Sequence, residues 1–150
     1  MSDLRELYQA VIIDHHKKPR NFRIPAGANR SAEGYNPLCG DKVTVQIRLE
    51  DGVVKDIGFQ GSGCAISTAS ASMMTESLKG KSLAEVDSLF KTFHELLTRE
   101  PPPKPDEAQL GKLAVFTGVR EFPVRIKCAT LAWHTLQAAL KEEARTVSTE

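Results

Sequence analysis

The most regular alternation in the chain lies at 42–49, where Val43, Val45, Ile47 and Leu49 interleave with Lys42, Thr44, Gln46 and Arg48. A period of two predicts a strand with one buried and one wet face, the habit of antiparallel sheets. Glu50-Asp51-Gly52 reads as a tight turn. Val53 to Gln60 reads as the returning strand, with Val53, Ile57 and Phe59 on its apolar face. Elsewhere the period is helical. Leu4, Leu7, Tyr8, Val11, Ile12 and His15 predict a helix from a capping box at Asp3 and Glu6 to about His16, with Pro19 as its stop. Ala65 to Leu78 predicts a second helix, rich in small residues and stopped by Gly80. Ser82 and Glu85 form another capping box ahead of an apolar stripe of Val86, Leu89, Phe90, Phe93, Leu96 and Leu97. A last helix runs from about Val124, with Leu131, Ala132, Thr135, Leu136, Ala139 and Leu140 as its buried side.

The stretches between are less regular. Residues 21–35 read as a connector rich in Pro, Gly and Asn, with room for a short edge strand at Ala32–Tyr35. Pro101–Pro105 is a stiff surface spacer. Leu110–Thr117 reads as a short helix or turn stopped by Gly118, followed by a loop at 119–123, and the polar tail after Lys141 is expected to fray.

Length and composition narrow the classes. A chain of 150 residues, 41% hydrophobic and 26% charged, suits one domain with a core over residues 1–150. A net charge of +1 gives no electrostatic reason to expect nucleic acid. No apolar run reaches the length of a membrane helix. Asp3 and Glu6 stand where a secretory signal would be apolar, so a cytoplasmic protein is expected. His15-His16-Lys17-Lys18 closes the first helix, either as cations at the negative end of its dipole or as a docking face.

The candidate chemistry lies in three cysteines far apart in sequence. A single cysteine is more often a small buried hydrophobe than a ligand. Cys39, Cys64 and Cys128 nonetheless share a pattern: each stands at the edge of a predicted element, where sites are built. Asn36-Pro37-Leu38-Cys39-Gly40-Asp41 adds a carboxylate two residues from the first thiol, and Gly61-Ser62-Gly63-Cys64 puts the second at a helix N-terminus. Three thiolates and a carboxylate would suit tetrahedral zinc or iron–sulfur chemistry. A Cys–His nucleophile and a closed structural zinc site remain as other classes. His94 lies within a helix stripe, and His134 is about two turns past Cys128, too far along the axis to share its ion.

The stretches Asn36–Asp41, Gly61–Ser67 and Arg125-Ile126-Lys127-Cys128 resemble the three cysteine motifs of the IscU/NifU N-terminal family of iron–sulfur cluster assembly proteins. The resemblance extends from the first helix to about Leu140, and within the family the chain looks like the SufU branch. Lys127 stands where IscU-type scaffolds have a histidine, and the chain between the second and third motifs is longer. The resemblance implies an α+β fold, a three-stranded antiparallel sheet with helices mainly on one face. It implies zinc held by Cys39, Asp41, Cys64 and Cys128, with Cys39 as the acceptor of persulfide sulfur from a SufS-type cysteine desulfurase. The sulfur would pass on to a SufBCD-type complex. The alternative it implies is a scaffold carrying a [2Fe–2S] cluster on the same cysteines. Lys127 and Arg125 are expected as auxiliary cations beside the thiolates, with Arg120 in the same basic rim.

Overall fold

The computed structural model describes residues 2–141 and 147–148, with residues 2–5, 7 and 147–148 described by their backbone alone. The hairpin read from the sequence is the centre of the fold. Strands β2 (Asp41–Glu50) and β3 (Val53–Ser62) pair antiparallel, and β1 (Arg30–Asn36) pairs antiparallel with the other side of β2. A two-residue strand β4 (Val147–Ser148) adds in parallel to β1, giving the order β3-β2-β1-β4. The rest of the tail expected to fray lies outside the described residues.

The apolar faces of the strands explain where the helices lie. Val43, Val45, Ile47, Ile57 and Phe59 are buried, and α2 (Ala65–Leu78) and α5 (Pro123–Leu140) pack on the sheet. Helix α1 (Ser2–Lys17) packs on α2, while α3 (Leu83–Thr98), short α4 (Glu107–Leu110) and a 3-10 segment (Gly111–Glu121) close the outer layer. Trp133 of α5 is fully buried, stacked on Phe93 of α3 at 4.7 Å, with its indole N–H donating to Ser70 of α2. Helix α5 lies so close to β1 that a side chain at Gly34 would run into the Thr135 hydroxyl. Loop backbone partly covers the outer side of β3. Phe59 of β3 donates its N–H to Asn21 O of the connector at 3.1 Å, Val54 donates to Lys81 O at 2.8 Å, and β4 lies along β1.

Several local expectations need correction. The first helix already includes Ser2, so Asp3 lies inside it and is not the cap. A bulge in the β2–β3 pairing beside Arg48 and Leu49 shifts the alternation, so Val54 is buried where Val53 was expected. Gly118 stops nothing, because the 3-10 segment runs through it to Glu121. His15 is not a dipole cation. It is buried against α2, its Nδ1 2.7 Å from Ser72 Oγ, and burial holds its pKa below the ordinary imidazole range. The predicted capping box of α3 is present, Ser82 and Glu85 each bonding the other's backbone.

Candidate metal centre

All three cysteines are delivered to one end of the sheet by the ends of three different elements. The β1–β2 connection is a turn over 37–40, closed by the Asn36–Asp41 pair. Cys39 N–H donates to Asn36 O, and Leu38 N–H to Asn36 Oδ1, both at 3.3 Å. Gly40 takes a φ of +72° that a side chain would resist, which lets the turn close. Cys39 is half-buried on this turn, and Leu38 beside it is 60% exposed.

The sharp turn expected at Gly61 and Gly63 has a visible purpose. Gly63 passes so near Asp41 that a Cβ there would stand 2.7 Å from Oδ1. The next residue, Cys64, donates its N–H to that oxygen at 2.8 Å. Cys64 is also the N-cap of α2, its sulfur accepting the Ser67 N–H at 3.4 Å. Pro123 opens α5 with a φ already helical, and the second turn brings Cys128 into the site, fully buried. The Cys128 thiol donates toward Cys39 Sγ at 3.1 Å.

Donor atoms of Cys39, Asp41 and Cys128 all lie within 4.8 Å of one another, and Cys64 Sγ is 4.0 Å from Asp41 Oδ2. Cys39, Asp41 and Cys128 form one donor cluster, and Cys64 adjoins it through Asp41 without lying within it. Burial, then hydrogen bonds with Cys39 and Asp41 and the charge of Cys64, push the Cys128 thiol up. Three sulfurs and one carboxylate gathered at one place fit zinc or iron by their donor chemistry. Arg125 is exposed on the rim. The charge of Cys64, then the nearness of Cys128, raises its guanidinium pKa further. Lys127 is half-buried next to Cys128. Arg120 does not join this rim: its guanidinium donates to Leu96 O and Arg99 O, both at 2.6 Å, and closes the C-terminus of α3. His94 and His134 face each other at 5.5 Å with Phe90 between α3 and α5, outside the donor cluster.

Asn36 is the member of the site that sequence reasoning passed over. It is fully buried, and its amide Nδ2 stands 3.4 Å from Asp41 Oδ2 and 3.5 Å from Cys128 Sγ. The signal the sequence held was its place, an amide residue opening the stretch that carries Cys39 and Asp41. Exposed Phe122 lines a groove of about 750 Å³ together with Tyr8, Ile12, Ile66, Val119 and Arg125 among others, and Val124 nearby in sequence is also exposed.

Comparison with known proteins covers the region that holds this site. The family model for the NifU-like N-terminal domain matches residues 7–129. The iron–sulfur cluster assembly scaffold protein IscU of Streptococcus pyogenes serotype M1 is 40% identical over 144 residues, covering 96% of this chain and 89% of that protein. The zinc-dependent sulfurtransferase SufU of Bacillus subtilis strain 168 is 39% identical over 142 residues, covering 95% of each. Among solved structures, a candidate iron–sulfur cluster assembly scaffold protein for the SUF system from Fervidobacterium islandicum AW-1 superposes with a TM-score of 0.80 at 34% identity, covering 87% of this chain and 93% of that one.

Proposed function

This chain belongs to the NifU-like N-terminal domain family of iron–sulfur cluster assembly proteins, and from that premise we propose that it is a zinc-dependent sulfur acceptor. Cys39 takes persulfide sulfur from a SufS-type cysteine desulfurase, and the chain carries it to a SufBCD-type assembly complex. Cys39, Asp41, Cys64 and Cys128 are the residues that would hold zinc. When bound, zinc keeps the thiols deprotonated and guards them against oxidation. Three unpaired cysteines suit the reducing cytoplasm.

The observation that carries this reading is the unequal anchorage of the three sulfurs. Cys128 is buried in α5, and Cys64 is tied to the first turn of α2 by Ser67 N–H. Cys39 stands on a half-exposed turn beside Leu38 and can meet a partner. Its thiolate attacks the terminal sulfur of the desulfurase persulfide. A new S–S bond forms on Cys39, the partner's S–S bond breaks, and the desulfurase cysteine leaves as thiolate, with no net oxidation. Arg125 favours the anionic sulfurs on both sides of this exchange. Leu38, Phe122, Val124 and the adjoining groove give the desulfurase an apolar landing around the thiol.

The test mixes the zinc-loaded chain with a persulfide-charged desulfurase of the SufS type and maps the added sulfur by mass spectrometry. Sulfur on Cys39, and none accepted by Cys39→Ala at a normal fold, is the expected result. Full acceptance by that variant overturns the assignment. The scaffold reading draws on the same three sulfurs and on relatives named as scaffolds. Iron with matching acid-labile sulfide in protein isolated without air would favour it over zinc.

A further inference from the structure

We propose that Asn36 is a positioning residue of the metal site, whose buried amide holds Asp41 and Cys128 as the standing ligands and leaves Cys39 as the one that lets go. The inference rests on the reading that these residues hold a metal. Asn36 ends β1 and pairs with Asp41 across the sheet, so its side chain is aimed at the donor cluster by strand register. Its amide Nδ2 lies 3.4 Å from Asp41 Oδ2 and 3.5 Å from Cys128 Sγ, and it is fully buried. Its Oδ1 accepts Leu38 N–H at 3.3 Å. The orientation follows from the partners: turning the amide over would set its oxygen against a carboxylate and its NH2 group against an N–H.

One side chain thus touches the carboxylate, the most buried sulfur and the turn that carries the third donor. The contacts are not shared evenly. Asp41 is held by two N–H donors, Asn36 Nδ2 and Cys64 N–H, besides its longer contact with the Cys64 thiol. Cys128 receives Asn36 Nδ2, and Cys64 receives Ser67 N–H. Among the described residues, no amide hydrogen bond reaches the Cys39 sulfur, which accepts from the Cys128 thiol. Hydrogen bonds to metal ligands fix their orientation and temper their donor strength, and their loss typically costs 10–100-fold in metal affinity. Asn36 therefore sets which ligands stay, while its Oδ1 holds the turn in place until a partner pulls Cys39 away.

The test uses the full chain loaded with zinc and reads three things that need no sulfur transfer. These are the rate of zinc loss to a chromophoric chelator, the order in which the cysteines are alkylated, and the absorption spectrum of the cobalt(II) form. In the wild type Cys39 is alkylated first. Asn36→Ala should lose zinc about 10–100-fold faster, shift the cobalt bands, and lose the preference for Cys39. Asn36→Ser, which retains one small donor, should fall between the two and serves in its place if the alanine variant does not fold. Zinc loss at the wild-type rate with the same alkylation order and cobalt spectrum overturns the proposal. Sulfur acceptance by Cys39→Ala would instead refute the acceptor role and leave these readouts standing.

Discussion

Replacing Gly63 by alanine will weaken metal binding by way of Asp41. The backbone at Gly63 has no positive φ that forbids a side chain, so the effect comes from contact alone. A Cβ at this position would stand 2.7 Å from Asp41 Oδ1 and 3.2 Å from its Cβ and Cγ, and Asp41 is fully buried. The carboxylate must retreat, and retreat breaks the 2.8 Å bond it accepts from Cys64 N–H. A hydrogen bond to a charged group contributes about 1.5–3 kcal/mol. At about 1.4 kcal/mol per factor of ten, zinc affinity falls about 10–100-fold. The assay is competition for zinc against a chromophoric chelator, paired with urea unfolding of the zinc-free chain. Gly52→Ala is the control. Gly52 has a φ of +72° and nothing within 4 Å of its would-be Cβ, at the far end of the hairpin. That change should lower stability by about 1–2 kcal/mol through backbone strain and leave zinc affinity alone. Wild-type zinc affinity in Gly63→Ala, or an equal loss in Gly52→Ala, would refute the reasoning.

The remaining predictions concern stability and test the parts of the fold that support the site. His15 has a pKa lowered from 6.5, mainly by burial, with Arg20 adding to the shift and Glu76 opposing it. The unfolded chain therefore takes the proton first, and stability should fall as pH drops below about 6.5. His134, lowered in the same sense, adds to the slope. In zinc-free urea unfolding at a series of pH values, His15→Gln should flatten part of that dependence; an unchanged slope would show that His15 is not its source. Arg120→Ala should cost about 1–3 kcal/mol by freeing two carbonyls at the end of α3, with zinc content unchanged. Loss of zinc at full stability would return Arg120 to the basic rim.

What the sequence made legible was what local chemistry decides. The Lys42–Leu49 alternation, the Asp51-Gly52 turn and the Ser82–Glu85 box each contain their own cause within a few residues, and each stands where it was read. Cys64 at the head of α2 was legible for the same reason. β1 was harder, because Arg30–Asn36 has little apolar alternation and becomes a strand by pairing with β2. Val54 was misread because a bulge is a property of two strands, and His15 because the partner that buries it lies 57 residues away. Asn36 combines both difficulties. Its neighbours Cys39 and Asp41 announce chemistry, yet its own role depends on Cys128, which arrives from another element.

The close seat of α5 on β1 has a mechanical consequence. Thr135 rests at Gly34, and Cys128 lies about 10 Å up the same rigid helix. Asn36 and Cys39 lie just beyond Gly34 on the strand side. Helix and strand act as the two arms of a calliper, in contact at Gly34 and meeting again at the sulfurs. The jaw at Cys39 and Cys128 is therefore gauged from a distance, by how near a helix can lie to a strand that carries no side chain there. Tuning the gap for a larger or smaller ion would begin at 34 and 135, with every donor left as it is.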